Sequence, residues 1–421
     1  MIAKSCIPFF LLLFLAFGNA QENIVLEVKI QGTKRTKPSF LKNLVELKSG
    51  MTLDSTLMEK DITRLKRLPS ISNAHYHVFS SEEDVHSVFY NVEENFTLIP
   101  FANLFSSSND DFAFRIGLQE FNLFGRNIIL GGFYQYDIFN SYGIALRAPY
   151  LFSNKIGLSV SYNDFTTQEP VFFENTTADY RYKNHGVEVM GLYEFDFKNR
   201  IELGGSLFTE EYQYLAGATS PDVPQALKVD KHLLKLIYNF DNVRYFYQYL
   251  DGFRSTLNFQ YVGSSDVSLP EFLIGFNDFV YFRRVGERGN WASRLRLGLA
   301  SNVETPFAPF TVDNNLNIRG VGNRIDRGTG TIVINTEYRH TIIDENWFVL
   351  QSNVFVDGGS WRNPGGDFDD FAKSENIRIY PGVGLRFIHK RIFNAIFRID
   401  YGYGITKNAS HGIVFGIGQY F

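Results

Sequence analysis

The chain has 421 residues, with 45 acidic and 41 basic side chains, a net charge of −4 and no long block of one sign. Nucleic acid is therefore not an expected partner, because proteins that bind it concentrate positive charge on one face. The only cysteine, Cys6, lies among the first 20 residues. If those residues are removed, no thiol remains for a disulfide, a thiolate nucleophile or a zinc-thiolate site.

The first 20 residues have the pattern of a secretory signal peptide. Lys4 supplies the basic start, residues 7–17 form the apolar run, and the small residues Gly18 and Ala20 precede an expected cleavage site. After residue 20, no uninterrupted apolar run reaches the roughly 20 residues that a membrane helix needs. If the exported protein crosses a membrane, we expect it to do so with strands.

Residues 21–94 predict a small α/β domain with the order strand, helix, helix, strand, strand. The elements are expected at 24–32, 37–47, 54–69, 73–79 and 85–92. Asp54 is the expected N-cap of the second helix, and Pro69 is the expected end of that helix.

From residue 95 to residue 421 the helical period disappears, and segments of alternating hydrophobicity recur between turns. Sixteen such segments can be placed, although fourteen or eighteen strands stay open; they start near residues 96, 111, 127, 141, 155, 179, 200, 226, 246, 270, 290, 329, 346, 376, 392 and 411. Alternation alone also suits a water-soluble sandwich, but export and the 42 Phe and 23 Tyr favour a membrane barrel. The predicted fold class is mainly β, a transmembrane 16-stranded antiparallel β-barrel after one small α/β domain.

The alternation also predicts which side chains face lipid and which face the barrel interior. The side chains expected to face lipid are Leu295, Leu297, Leu299, Phe397, Ile399, Tyr401 and Tyr403. Those expected to face a water-filled lumen are Arg294, Arg296, Arg398 and Asp400.

A loop motif and a carboxylate in the last quarter of the chain form the clearest candidate site. The motif is Ile318, Arg319, Gly320 and Val321. Asp357 lies in the alternating segment 355–359, which ends in two glycines. Because a guanidinium can bind a carboxylate through two parallel hydrogen bonds, we expect Arg319 to pair with Asp357 inside the barrel.

These segments resemble the BamA and TamA type superfamily of outer-membrane barrels. In that family a valine or isoleucine, an arginine, a glycine and an aromatic residue lie between the eleventh and twelfth strands, and here Val321 replaces the aromatic residue. Residues 335–339 resemble the twelfth strand, whose Glu337 on the lumen face is a second expected partner of the loop arginine. Residues 355–359 resemble the thirteenth strand, whose aspartate accepts the loop arginine. Residues 24–94 resemble a POTRA domain.

The resemblance implies an outer-membrane protein of a Gram-negative bacterium, with the N-terminal domain in the periplasm. Its implied function is insertion of outer-membrane proteins or movement of polypeptides into or across that membrane. Unfolded clients would bind the POTRA edge near 73–79 and the barrel seam, and periplasmic chaperones or accessory lipoproteins would be further partners. Two alternatives stay open: a secretion pore for one passenger, and a passive or structural barrel.

The chain end and the first barrel strand predict two further features. Phe415, Ile417 and Phe421 are expected on one face of the last strand. In that position they resemble the terminal signal by which such barrels are recognised for insertion. Glycines lack packing side chains and proline lacks an N–H, so a weak seam between the first and last strands is expected. The residues that predict it are Pro100, Gly416 and Gly418.

No enzyme activity, catalytic residue, cofactor or metal is predicted. His75 and His77 lie on one side of a strand, where exposed histidines without a metal are the more common finding. Asp367, Asp369 and Asp370 are expected in a solvated acidic loop rather than in a calcium site.

Overall fold

The computed structural model describes residues 23–421 with several gaps. The residues outside the description are 1–22, 83, 107–111, 174–175, 222, 247, 306–307, 313–316, 322–326, 393–394, 408 and 419. The expected signal peptide and Cys6 lie outside the described residues.

The N-terminal domain has the predicted order of elements. They are β1 (Ile24–Gln31), α1 (Pro38–Leu44), α2 (Ser55–Lys66), β2 (Ile71–Glu82) and β3 (Val85–Glu94). The sheet order is β1-β3-β2, with β1 parallel and β2 antiparallel to β3. Both outer strands, β1 and β2, are therefore edges of the sheet, and the helices cover an apolar core that includes Val28, Leu41 and Leu65.

The buried carboxylate of Asp61 organises this domain. It accepts hydrogen bonds from the backbone N–H of Glu46 at 2.6 Å and of Leu47 at 3.1 Å, and from the Tyr90 hydroxyl at 2.8 Å. Burial, reinforced by Asp61, raises the pKa of Tyr90 well above its ordinary value. Because Asp61 holds the extended chain after Leu44, α1 ends there and is shorter than the predicted helix over 37–47.

The second helix begins as predicted, because the Asp54 side chain accepts the N–H of Thr56 at 2.8 Å and of Leu57 at 3.3 Å. It ends at Lys66, three residues before Pro69. No helix among the described residues is long and apolar enough to cross a membrane.

The rest of the chain forms antiparallel strands around a closed barrel. Their bounds are β4 (Leu98–Ser106), β5 (Phe112–Leu123), β6 (Ile128–Asp137), β7 (Phe139–Ala148), β8 (Ile156–Phe173), β9 (Thr176–Glu194), β10 (Asn199–Gly217), β11 (Ala226–Asp241), β12 (Arg244–Phe246), β13 (Tyr249–Ser264), β14 (Phe272–Val285), β15 (Gly289–Ala300), β16 (Phe310–Thr311), β17 (Arg327–Gly328), β18 (Gly330–Asp344), β19 (Phe348–Arg362), β20 (Ile377–His389), β21 (Ile396–Tyr403) and β22 (His411–Ile417). Sixteen of them form the wall, since β12 is a three-residue addition to β13 and β16 pairs with β17 in a loop. The ring closes where β22 lies beside β4.

Side-chain exposure confirms the predicted alternation. Leu297 is 41% and Leu299 is 44% exposed on the outer face of β15, whereas Arg294 on the inner face is buried. On β10 the outer face carries Leu203 and Leu207, which are 62% and 73% exposed. A barrel with an apolar outside and a polar inside is the arrangement that a lipid bilayer requires.

The N-terminal domain docks on the end of the barrel at which β5, β7, β9 and β11 finish, here called the near rim; the opposite end is the far rim. The Lys37 N–H donates to the Gly125 carbonyl at 2.9 Å after β5. The Arg64 guanidinium binds the Glu194 carboxylate, and Arg67 donates to the Asp241 carbonyl at 3.1 Å. Three separate turns therefore hold the domain against the near rim.

Candidate functional site

The loop between β15 and β18 starts at the far rim and folds back into the lumen. Val312, Ile318 and Val321 in this loop are fully buried, and they pack against Trp361 and Tyr380 of the wall. The loop therefore has its own apolar contact area with the inner face of β19 and β20.

Arg319 lies at the centre of this contact and is completely buried. Its Nε and Nη2 donate to the two carboxylate oxygens of Asp357 at 2.8 and 3.0 Å, and its backbone N–H donates to Asp357 at 3.0 Å. Its Nη1 donates to Glu337 at 2.7 Å and lies 3.5 Å from Asp400. The structure thus brings together the loop motif and both sequence-predicted partners, and it adds Asp400.

Glu337 is the second hub of the charge cluster. Besides Arg319, its carboxylate binds Arg339 at 2.5 Å and Arg386 at 2.6 and 2.8 Å. All these groups are at most 1% exposed, so the expectation of a water-filled interior does not hold at this cluster. Because buried charges are stable only when paired, each arginine here depends on the carboxylates around it.

Glycines make room for the loop. Gly320 has φ of 87°, and a Cβ there would lie 2.5 Å from the Gly402 carbonyl oxygen. A Cβ at Gly359 would lie 2.6 Å from Val312 and 2.8 Å from Ile318. The second glycine after Asp357 therefore has a steric function: the loop lies where its side chain would be.

Aromatic rings cover the Arg319 guanidinium. The ring centroid of Phe355 lies 3.6 Å from the guanidinium carbon, and that of Tyr420 lies 4.3 Å away. Such contacts stabilise a desolvated cation. Val321 replaces the aromatic residue that the resemblance leads one to expect, and the wall and the chain end supply the rings that contact the cation.

A second ion pair joins the loop to another part of the wall. Arg327 in β17 binds Glu169 of β8 at 2.5 Å, whereas Asp357 and Glu337 belong to β19 and β18. In the barrel order β18 and β19 are far from β8. The described residues of this loop are therefore tied to two separated parts of the wall.

The chain end corrects one prediction. Phe415 on β22 points outward and is 60% exposed, as the terminal signal requires, and Ile417 is the last residue of the strand. Gly418 then has φ of 93°, and Phe421 packs on a buried cluster that includes Phe282, which lies on the lumen side of β14. Phe421 therefore does not share the outer face with Phe415 and Ile417, because the glycine turns the chain inward.

The predicted seam residues lie in short strands. Pro100 is the third residue of β4, which has 9 residues, and β22 has 7, fewer than any other strand of the wall. Proline offers no N–H to either neighbouring strand. A Cβ at Gly416 would lie 2.5 Å from the Arg398 guanidinium, so this glycine leaves room for that side chain.

The candidate metal residues have ordinary structural explanations. His75 and His77 contact each other edge to face, with ring centroids 5.1 Å apart, on the exposed edge strand β2. Asp367 caps a short 3-10 helix, and Asp370 accepts the Asn363 N–H at 2.9 Å and binds Lys373 at 2.6 Å. In the described part of the chain, no group of three or more potential ligands is placed to hold a metal ion.

The profile of the POTRA family, described as surface antigen variable number repeat, matches residues 24–95. No curated protein matches the chain in sequence. The structure of BamA from Haemophilus ducreyi lacking POTRA domains 1–3 is 16% identical, has a TM-score of 0.57, and is matched over 93% of this chain and 83% of that chain.

Two CdiB structures are also similar. CdiB from Acinetobacter baumannii is 15% identical with a TM-score of 0.60, over 95% of this chain and 74% of that chain. CdiB from Escherichia coli is 12% identical with a TM-score of 0.61, over 94% of this chain and 76% of that chain. The chain has the fold of BamA and CdiB. This confirms the predicted combination of one POTRA domain with a 16-stranded barrel, and the loop of Arg319 lies within that BamA-like barrel.

Proposed function

We propose that this protein is an outer-membrane factor that inserts polypeptides into the outer membrane or moves them across it. The observation that carries the proposal is a lumen occupied by a doubly tied loop, in a barrel whose closing strand β22 is the shortest described strand of the wall. A passive channel needs an open lumen and a uniform wall. An insertion factor instead needs a closed lumen and one place where the wall can open.

The contacts of the loop support a closed lumen. Breaking a buried ion pair such as that of Arg319 with Asp357 costs about 3–5 kcal/mol, because the partner is left buried and uncompensated. The Arg327 tie to Glu169 would have to break as well before the loop could leave. The resting barrel would therefore conduct small solutes poorly.

The closing strands support a wall that opens at one place. β22 pairs with β21 over seven positions. After β22, the chain turns into the lumen at Gly418 instead of continuing along the wall. Pro100 lies in the facing strand β4. A client strand would pair with an edge exposed at this seam, and no nucleotide would be required.

The POTRA domain offers a second edge for clients. In the order β1-β3-β2, strand β2 has a partner on one side only. Val78 and Phe79 on this strand are 38% and 63% exposed. An unfolded segment would add to β2 by β-augmentation, with these side chains supplying apolar contact. In this arrangement the domain lies in the periplasm, where chaperones or lipoproteins would deliver clients.

Depletion of the protein tests the proposal. Loss of several β-barrel proteins from the outer membrane, restored by the wild-type chain, is the expected result. Loss of small-solute uptake alone would favour a passive channel, and loss of a single exported protein would favour a dedicated secretion pore.

Conductance of the purified protein in a planar bilayer gives an independent check. Wild-type protein should conduct weakly, and Arg319→Ala combined with Arg327→Ala, which removes both ties, should conduct more. High conductance of the wild type would contradict the closed lumen.

A further inference from the structure

A groove of about 370 Å³ lies outside the lumen, between the POTRA domain and the near rim. One side is α1 with the residue before it, and the other is formed by the turns that follow β5 and β7. Its lining includes Lys37, Ser39, Asn43, Arg126 and Asn154. The groove has no role in the Arg319 cluster or in the edge of β2.

Positive charge dominates the groove. Lys37 and Arg126 line it, and no carboxylate is among its lining residues. Within the described part of the chain, neither side chain has a hydrogen bond or an ion pair, and both residues are exposed. Two unpaired cations beside the hydroxyl and amide donors of Ser39 and Asn154 favour an anion with several oxygens.

The groove has an apolar border. Phe152 and Leu151 line it and are 67% and 38% exposed, and Phe124, next to Gly125 of the docking turn, is 71% exposed. Phe124 has φ of 57°, a strained conformation for a residue with a side chain. Exposed phenylalanines are unfavourable in water, and beside basic residues they insert favourably at the boundary between the headgroups and the acyl chains of a bilayer.

The neighbouring strands place this border at the membrane boundary. Leu118 of β5, Ile144 of β7 and Ile156 of β8 are 49%, 56% and 44% exposed on the outer face of the barrel. Phe124 and Phe152 continue this apolar surface beyond the strand ends. In a bilayer that covers this apolar surface, the adjoining groove would lie at the depth of the headgroups.

The position of the groove is fixed by the docking of the domain. The Lys37 N–H bonds to the Gly125 carbonyl at 2.9 Å, and Asn122 donates to the Thr36 hydroxyl at 3.0 Å. The ring of Phe40 in α1 lies 6.1 Å from that of Tyr150 in the turn after β7. Both sides of the groove are thus held together without a ligand.

We propose that this groove binds the headgroup of an anionic phospholipid in the leaflet beside the near rim. Lys37 and Arg126 contact the phosphate, while Phe124 and Phe152 lie among the upper acyl-chain carbons. The bound lipid then bridges the POTRA domain and the barrel wall, and it fixes the height of the domain relative to the membrane.

Lipid titration of the full chain tests the proposal. A polarity-sensitive dye is attached at Pro38→Cys, an exposed position that adjoins the groove and does not line it, and the folded protein is held in nonionic detergent. The exported chain would carry no other thiol. Phosphatidylglycerol in the same detergent should change the dye signal at saturation, and phosphatidylcholine should not. Lys37→Gln with Arg126→Gln should weaken phosphatidylglycerol binding about 30-fold, at roughly fivefold per removed charge.

A charge-matched control separates the groove from general electrostatics. Lys29→Gln with Lys66→Gln removes the same charge from exposed positions that do not line the groove, and its affinity should match that of the wild type. Equal weakening by both pairs would overturn the site. If inorganic phosphate competes as well as the lipid does, the groove is an anion site and the lipid proposal is wrong.

Discussion

Replacing Arg319 with Ala is expected to destabilise the barrel by about 3–5 kcal/mol. The cost falls mainly on Asp357, which loses both guanidinium bonds and keeps only the backbone N–H of residue 319. Glu337 loses less, because Arg339 and Arg386 still bind it. Unfolding by guanidinium chloride in detergent micelles, followed by tryptophan fluorescence, measures the loss.

A double-mutant cycle tests this assignment. Asp357→Asn combined with Arg319→Ala should be less destabilised than the sum of the two single variants, by about 2 kcal/mol, because the second change removes the stranded carboxylate. Lys228→Ala is the control, since it breaks a wall pair with Glu211 in which the two side chains are 69% and 28% exposed, and it should cost under about 1 kcal/mol. Wild-type unfolding midpoints for both single variants would refute the stabilising role of the Arg319–Asp357 ion pair.

Three further predictions concern other buried contacts. Asp61→Asn should weaken the POTRA domain by about 1.5–3 kcal/mol, seen as faster amide exchange at residues 46–47; unchanged exchange would contradict the role of this carboxylate. Burial raises the pKa of Glu94, but the N–H groups of residues 34–36 outweigh it and lower the pKa below its ordinary value. The resulting stabilisation is therefore complete above about pH 4.3 and is lost as the pH falls through the lowered pKa. In the wild type, the protection of amides 34–36 against hydrogen exchange should fall in that pH range. In Glu94→Gln, their protection should show no such step. Gly320→Ala should cost about 2 kcal/mol in the unfolding assay used for Arg319, because its Cβ would meet the opposing backbone; wild-type stability would show that the loop can shift.

The barrel could be predicted from the sequence because a lipid bilayer enforces a period of two on every strand. Strands were expected to start near 226 and 411, and β11 and β22 begin at Ala226 and His411. The largest shift is at β21, which was expected near 392 and begins at Ile396. Its N-terminal boundary is less visible in the sequence because apolar residues, Ile392 and Ala395 among them, already precede it.

The pairing of Arg319 with Asp357 was also predictable, since a loop cation and an inward carboxylate both require partners. The charge cluster around Glu337 was only partly predictable. Arg386 reaches Glu337 from β20, and Asp400 reaches Arg319 from β21. Both contacts depend on strand register, which a single sequence does not contain. The signal available in the sequence was that both residues occupy inward-facing positions of the alternating pattern.

The chain end shows where periodicity fails. Ile413, Phe415 and Ile417 alternate regularly, and continuing the same period places Phe421 on the outer face. Gly418 adopts a positive φ instead, and the two final aromatic residues enter the lumen. Glycine permits both conformations at similar cost, so the sequence alone does not distinguish them.

Crosslinking in living cells tests the proposed seam most directly. A photo-reactive residue replaces Phe415 on β22 or, as a control, Leu207 on β10, both of which lie on the outer face and are 60% and 73% exposed. Adducts with newly exported β-barrel proteins should form from position 415 and not from position 207. Equal capture at the two positions, or none at 415, would contradict a client site at the seam.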